Sequence, residues 1–291
     1  MPAETPIWPA QLDHIRLNSD DPGALAAFYA EAFGFRRSEL ANDSHLLQGP
    51  GRCLVIGRGE PGERPYHGFR VQDRAQLAAI RDYLQGQGVN LEPSPSEVFE
   101  ADAVATRDPD GWLNVFGLPR ADLPAHKAIN VASPIRLPGR LQHVVVATDN
   151  LAPMMRYYED LLGYRPSDFC VADEADPDSK AVAFYRSDPE HHSFAVFNAS
   201  EVRCDHHAYE ADSWNDIRDW ADHMSACGIK LWWGPGRHGP GNNLFFMIKD
   251  PHGHQVEISA ELEVLPREMA PRYWPLNEHS LNMWGAGWIR D

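Results

Sequence analysis

Apolar and polar residues follow the same order twice along the chain. A short segment at 12–17 (LDHIRL), typical of a strand, precedes an amphipathic segment at 22–35 (PGALAAFYAEAFGF), typical of a helix. The segments at 141–146 (LQHVVV) and 149–164 (DNLAPMMRYYEDLLGY) repeat that order. Each half of the chain therefore predicts a strand that leads into a helix.

A second strand and helix, followed by a turn and a strand, are also predicted in both halves. The turn has the pattern DP-x-G, and an alternating strand comes directly after it. The matching segments are 66–71 with 206–211, 73–89 with 212–229, and 107–118 with 249–260. This agreement predicts an internal duplication of the α+β class, with a Pro-rich linker between the copies.

Composition narrows the functional classes. The 42 acidic and 26 basic residues leave a formal charge of -16, which argues against a nucleic-acid or anionic-membrane partner. The four cysteines form no CxxC pair, and we find neither a signal peptide nor a membrane-spanning stretch. We expect a cytoplasmic enzyme that handles small molecules, with no nucleic acid and no membrane as partner.

The duplication allows one half to serve as a control for the other in the search for metal ligands. In the second half His143, His207 and Glu257 occupy matching strand positions. The corresponding positions of the first half hold His14, His67 and Val115. Two imidazoles and one carboxylate can occupy one face of an octahedral ion, a geometry that suits Fe(II), with Mn(II) as a substitute. We therefore predict a metal site in the second half alone.

With these motifs the chain resembles the type I extradiol dioxygenases of the vicinal oxygen chelate superfamily, which cleave catechol and 2,3-dihydroxybiphenyl rings. The resemblance implies tandem βαβββ modules, the glyoxalase-like fold, in two domains of paired modules. It places a metal-free domain at 10–118, a linker at 119–139, a catalytic domain at 140–262 and a C-terminal tail at 263–291. The tail is expected to wrap the surface or to cover a cleft.

The resemblance also implies roles for residues around the metal. His143, His207 and Glu257 correspond to the family's iron ligands, and His192 to a histidine beside the dioxygen site. His238 corresponds to a histidine that hydrogen-bonds the substrate. We expect His206 and His191, their sequence neighbours, to face the opposite side of a strand and to be structural.

One position departs from the family pattern. Met247 stands where the family has a tyrosine that helps to position and deprotonate the catechol. Tyr273 or a water molecule could supply the missing hydroxyl, and Asn242 and Asn243 are candidate substrate contacts. Met247 and the aromatic-rich tail suggest a bulky or bicyclic catechol, since an apolar wall accepts apolar rings.

The expected reaction is insertion of both atoms of O2 into a catecholic aromatic ring by a homo-oligomeric enzyme of aromatic hydrocarbon catabolism. Two alternatives keep the same fold. One is a metal-dependent glyoxalase-like isomerase or lyase, which needs no redox-active metal. The other is a protein that sequesters an aromatic ligand without needing Glu257 or the nearby histidines.

Overall fold

The computed structural model describes residues 4–123 and 137–289, so most of the predicted linker lies outside the described residues. The first half folds as two consecutive βαβββ modules that share one sheet. Its elements are β1 (Gln11–Ser19), α1 (Pro22–Phe33), β2 (Arg36–Glu39), β3 (His45–Gly49), β4 (Arg52–Arg58), β5 (Tyr66–Arg70), α2 (Arg74–Gly86), β6 (Glu92–Pro93), β7 (Val104–Arg107) and β8 (Leu113–Gly117).

The second half repeats this arrangement. Helix α3 (Leu151–Arg156) continues into a π-helical turn, Tyr157–Leu161. The other elements are β9 (Arg140–Thr148), β10 (Arg165–Val171), β11 (Lys180–Arg186), β12 (Phe194–Asn198), β13 (Arg203–Ala211), α4 (Trp214–Ala226), β14 (Trp233–Arg237), β15 (Leu244–Lys249), β16 (Gln255–Ala260), β17 (Arg272–Pro275) and α5 (Glu278–Leu281).

The two sheets have the same strand order, which confirms the predicted duplication and the tandem βαβββ fold. The first sheet runs β2-β3-β4-β1-β5-β8-β7-β6, and the second runs β14-β15-β16-β13-β9-β12-β11-β10-β17. When the first order is reversed, each of its eight strands matches a strand of the second sheet. The ninth strand, β17, comes from the C-terminal tail and pairs in parallel with β10 at the sheet edge.

Local sequence fixes where the helices begin and end. The Asp21 side chain accepts a hydrogen bond from the backbone N–H of Ala24, and Pro22 occupies the first turn of α1. Gly34 ends α1 with φ 65°, a left-handed conformation that favours glycine. Asp73 caps α2 in the same way as Asp21 caps α1.

A single large apolar core joins the two halves. Helix α1 of the first half packs against the second half, where the ring of Phe33 lies 5.9 Å from that of Trp220. The Tyr29 hydroxyl donates to Asp250 Oδ2 at 3.0 Å across the same boundary. Within the described ranges, no helix is both long and apolar enough to cross a membrane.

Candidate active site

Three neighbouring strands of the second sheet place a histidine pair and a glutamate on one face. Ala208 of β13 pairs with His143 on β9 and with Glu257 on β16, so these three residues form one row across the sheet. His206 lies two residues before Ala208 and therefore projects from the same face of β13. The opposite face, with Val256 and Ile258 on β16, belongs to the large core.

The side-chain donor atoms of His143, His206 and Glu257 converge. His143 Nε2 lies 3.2 Å from His206 Nε2, and Glu257 Oε2 lies 3.4 Å from His206 Nε2 and 3.9 Å from His143 Nε2. All three side chains are buried. Among residues 4–123 and 137–289 they form the one group of three such donors close enough to share an ion.

The residue before each histidine holds its ring in place. Gln142 Oε1 accepts a hydrogen bond from His143 Nδ1, and Asp205 Oδ1 accepts one from His206 Nδ1 at 2.6 Å. Pairing between β9 and β13 is irregular at Asp205, because the register shifts between Cys204 and His206. Both rings are thereby fixed with the proton on Nδ1 and the lone pair of Nε2 directed at the cluster.

The second histidine of this donor cluster is therefore His206. This corrects two predictions, namely that His207 belongs to the cluster and that His206 is structural. His207 projects from the core face of β13, with its ring 6.1 Å from that of Tyr29 and 5.5 Å from that of Tyr209. Alternation along a strand sends adjacent residues to opposite faces, so the choice between two consecutive histidines decides which one reaches the site.

Residues 4–123 of the first half contain no comparable donor set. Gly68 pairs with His14 and with Val115, as Ala208 does with His143 and Glu257, so Tyr66 and not His67 corresponds to His206. His14 Nε2 is engaged by Ser96 Oγ at 2.8 Å. The rings of Tyr66 and Phe99 lie 5.5 and 4.5 Å from the His14 ring.

The two further predicted histidines also lie at the cluster. The ring centre of His192 is 4.2 Å from that of His143, and the amide of Gln142 donates to the backbone carbonyl of His192. His238 Nε2 lies 3.9 Å from Glu257 Oε1, and its ring stacks on Phe245 at 3.8 Å. His238 Nδ1 donates to the carbonyl of Leu281 in the tail.

Burial keeps the deep histidines neutral. It lowers the pKa of His143 well below the usual histidine value, and the neighbouring His192, His206 and His238 act in the same direction. Burial likewise lowers the pKa of His192, with a further contribution from His191. A neutral imidazole is the form that binds a metal or accepts a proton.

These residues open into a cavity of about 90 Å³ with a largely apolar lining. Phe184, Phe197 and Met247 contribute to its walls, and no lysine or arginine of the described residues lines it. Asn243 lines it as well and donates from Nδ2 to Glu257 Oε1 at 3.2 Å. Met247 and Asn243, two of the predicted substrate contacts, thus line the cavity.

The structure does not bring Asn242 and Tyr273 to the cavity, which corrects both predictions. Asn242 is an exposed turn residue with φ 54°, and its carbonyl accepts a hydrogen bond from Arg237. Tyr273 is 49% exposed on the edge strand β17, beside Phe169. Side chains alternate along β17 as well, so Tyr273 faces away from the sheet face that its neighbours contact.

Tyr273 is the one tail residue that the sequence predicted at the site. Leu276, Ser280, Leu281 and Ile289 line the cavity, so the tail does cover a cleft. Its irregular polar and apolar pattern has no periodicity that would have indicated these contacts. Trp274, Trp284 and Trp288 of the tail are absent from the described lining.

Comparison with known proteins places this chain in a family. The chain belongs to the Glyoxalase/Bleomycin resistance protein/Dioxygenase superfamily, whose model matches residues 11–116 and 140–258. Metapyrocatechase 2 of Cupriavidus necator is 30% identical over 94% of this chain and 88% of its own length. An iron-dependent extradiol dioxygenase of Rhodococcus jostii is 26% identical over 94% of this chain and 95% of its own.

Solved structures show the same fold. The crystal structure of homoprotocatechuate 2,3-dioxygenase from Arthrobacter globiformis superposes with a TM-score of 0.81 at 22% identity, over 98% of this chain and 90% of that one. The solved structure confirms the glyoxalase-like fold, and the family match with the sequence relatives confirms the resemblance to extradiol dioxygenases. The protein is an extradiol dioxygenase. The two alternatives, a glyoxalase-like isomerase or lyase and a protein that sequesters an aromatic ligand, are not favoured.

Proposed function

We propose that this enzyme opens the ring of an uncharged, apolar-substituted catechol at an Fe(II) ion held by His143, His206 and Glu257. The observation that carries the proposal is the convergence of these three buried donors at the end of a cavity with apolar walls. In this proposal the segment 140–262 is catalytic and the segment 10–118 works without metal.

The donor set fits such an ion. Two ligand atoms each about 2.1 Å from one ion, at right angles, lie about 3 Å apart. The shortest separation here, between the two Nε2 atoms, is 3.2 Å. Glu257 is 1% exposed, and a cation at this position would offset the large cost of burying its carboxylate. Mn(II) satisfies the same donors.

When bound, iron supplies the redox and Lewis-acid chemistry that the reaction of an aromatic diol with O2 requires. The side chains of the enzyme position the substrate and handle its protons. His238, fixed by Leu281 and stacked on Phe245, is placed to hydrogen-bond a catechol oxygen. His192, beside His143, is placed to accept or return a proton at its Nε2 atom.

The lining of the cavity supports an uncharged substrate. A catechol with a carboxylate substituent would bury that anion without a cationic partner, because no Lys or Arg of the described residues lines the cavity. The side chains of Val182, Phe184 and Phe197 instead offer contact to an apolar substituent. Catechols with alkyl or aryl substituents are therefore the proposed substrate class, and a homo-oligomeric assembly stays a prediction.

The proposal is tested by loading the enzyme with Fe(II) under anaerobic conditions and then measuring its oxygen uptake with a panel of substrates. The panel contains catechol, an alkylcatechol, 2,3-dihydroxybiphenyl and a carboxylated catechol. We expect oxygen consumption and a yellow ring-opened product with the uncharged catechols, and kcat/KM at least about tenfold lower with the carboxylated one. Glu257→Ala should abolish uptake with every substrate. Preference for the carboxylated catechol would contradict the substrate class, and no uptake with any catechol would contradict the function.

A further inference from the structure

Behind His192 lies a chain of buried hydrogen bonds that the reaction described above does not use. His192 Nδ1 is 2.9 Å from His191 Nδ1, and the two rings are perpendicular. His191 Nε2 is 2.8 Å from Asp168 Oδ2. All three side chains are at most 3% exposed, so their hydrogen bonds depend on one another and not on solvent.

Asp168 is anchored as an ionised carboxylate. Arg272 donates to it from Nε at 2.7 Å and from a terminal nitrogen at 2.9 Å, while Trp274 Nε1 donates at 3.1 Å. The backbone N–H of Gly241 adds a further contact at 3.2 Å. Burial raises the pKa of Asp168, but hydrogen bonds from His191 and Arg272 outweigh it and hold that pKa below the usual value.

The C-terminal tail provides this anchor. Strand β17 pairs with β10 so that Arg272 lies opposite Asp168, and Glu263 binds the same guanidinium at 3.1 Å. Gly241 lies close to the ring of His191, because a Cβ atom added there would be 3.1 Å from His191 Nδ1. The position of the His191 ring is thus determined from two sides.

For a singly protonated His191 ring, donor and acceptor requirements fix the protons along the chain. An ionised carboxylate only accepts, so His191 carries a proton on Nε2. In neutral His191 the Nδ1 atom is consequently the acceptor, and His192 must donate from its own Nδ1. The proton of neutral His192 is therefore on Nδ1, and Nε2 is left with its lone pair for a ligand in the cavity that His192 lines.

We propose that Asp168 and His191 are positioning residues that hold His192 in the Nδ1–H tautomer, with Nε2 ready to accept a proton from the substrate. The contribution to turnover rests on the proposed function, whereas the tautomer itself does not. This inference gives His191, expected from the sequence to be merely structural, a part in the reaction. It also makes the tail strand β17 a component of the catalytic apparatus.

The tautomer can be measured in the full-length, metal-free protein labelled with 15N-histidine. Two-bond proton–nitrogen correlations distinguish Nδ1–H from Nε2–H, and the loss of one signal set in His192→Gln assigns the residue. A free histidine side chain in water prefers Nε2–H, so the predicted Nδ1–H form would reveal the effect of His191. Observation of Nε2–H in wild-type His192 would overturn the proposal.

A matched pair of variants tests the cause. Asparagine and leucine are similar in size, and only the Oδ1 atom of asparagine can accept a hydrogen bond where His191 Nδ1 stands. We expect His191→Asn to keep His192 as Nδ1–H and His191→Leu to release it to Nε2–H. With iron and a catechol, kcat of the leucine variant should fall about 10²-fold below that of the asparagine variant, with little change in KM.

The outcomes separate the two proposals. Equal tautomers and equal kcat in the two variants would mean that His191 only fills space. His254→Gln serves as the control, because His254 forms a similar 2.8 Å contact with Asp250 away from the cavity and its loss should leave the His192 signals unchanged. If the enzyme cleaves no catechol but His192 is Nδ1–H, the tautomer assignment stands, whereas the proposed function and the contribution of His191 to turnover fail.

Discussion

Replacing His206 and His207 one at a time by leucine separates the proposed metal ligand from a core residue at the adjacent position. Both side chains are buried, at 8% and 1% exposure, so burial alone does not distinguish them. Only His206 directs a donor atom at His143 and Glu257. The two variants should therefore lose different properties.

His206→Leu removes one of the three donors and should weaken iron binding by at least about 100-fold, which corresponds to about 2.7 kcal/mol. His207→Leu should leave iron affinity unchanged. Its effect on the free energy of unfolding should stay within about 1.5 kcal/mol, as for other swaps of similar volume in a core. His207 Nε2 finds no hydrogen-bond partner in the described part of the chain, so the loss of this polar atom offsets part of the lost packing.

Anaerobic calorimetric titration with Fe(II) measures the first effect, and urea unfolding of the metal-free proteins measures the second. Unfolding data for His206→Leu show whether its loss of iron reflects a lost ligand or a lost fold. Full iron affinity in His206→Leu together with lost affinity in His207→Leu would refute the assignment of faces along β13.

Three further predictions concern the cavity and the buried histidines. Met247→Tyr adds a hydroxyl inside the cavity and reduces its space. Because of the added hydroxyl, kcat for unsubstituted catechol should rise about tenfold in steady-state oxygen uptake. Because of the reduced space, kcat/KM for 2,3-dihydroxybiphenyl should fall in the same assay. Tyr273→Phe should leave kcat and KM unchanged in the same assay, because Tyr273 lies outside the cavity. Burial and then Arg64 lower the pKa of His67 well below its usual value, so only the unfolded chain takes up this proton as the pH falls below about 6.5. Below that pH, the free energy of unfolding of the wild type should therefore fall more steeply than that of His67→Leu, by about 1.4 kcal/mol per pH unit. Urea unfolding at several pH values measures both slopes. Equal slopes would show that His67 is charged in the folded protein.

The duplication was the part of the fold most accessible from sequence. Matching strand and helix patterns predicted the paired modules, and His143 and Glu257 followed from a comparison of the two halves. The tail strand β17 could not be predicted, because its four residues show no period of their own and gain their conformation by pairing with β10.

The choice between His206 and His207 shows where pattern reasoning fails at a site. The HH dipeptide is compatible with either face, and alignment with His67 favoured the histidine that the two halves share. That shared residue is a core residue in both halves, since His67 and His207 are equivalent. The Asp205–His206 pair, which repeats the polar residue before the histidine seen in Gln142–His143, was the available signal for the correct choice.

The hydrogen-bond network behind His192 could not be predicted from the sequence, for a different reason. Arg272 lies 104 positions after Asp168 in the chain, and the pairing of β10 and β17 brings it to the carboxylate that His191 also contacts. A partly buried ion pair of this kind leaves no periodic pattern in the sequence.

The most direct test of the account is the fate of oxygen in the product. The iron-loaded enzyme is supplied with 2,3-dihydroxybiphenyl under 18O2, and the ring-opened product is analysed by mass spectrometry. We predict that both labelled oxygen atoms appear in the product and that Glu257→Ala forms none of it. A product with a single labelled oxygen, or a transformed substrate without label, would contradict the assignment of this site to extradiol ring cleavage.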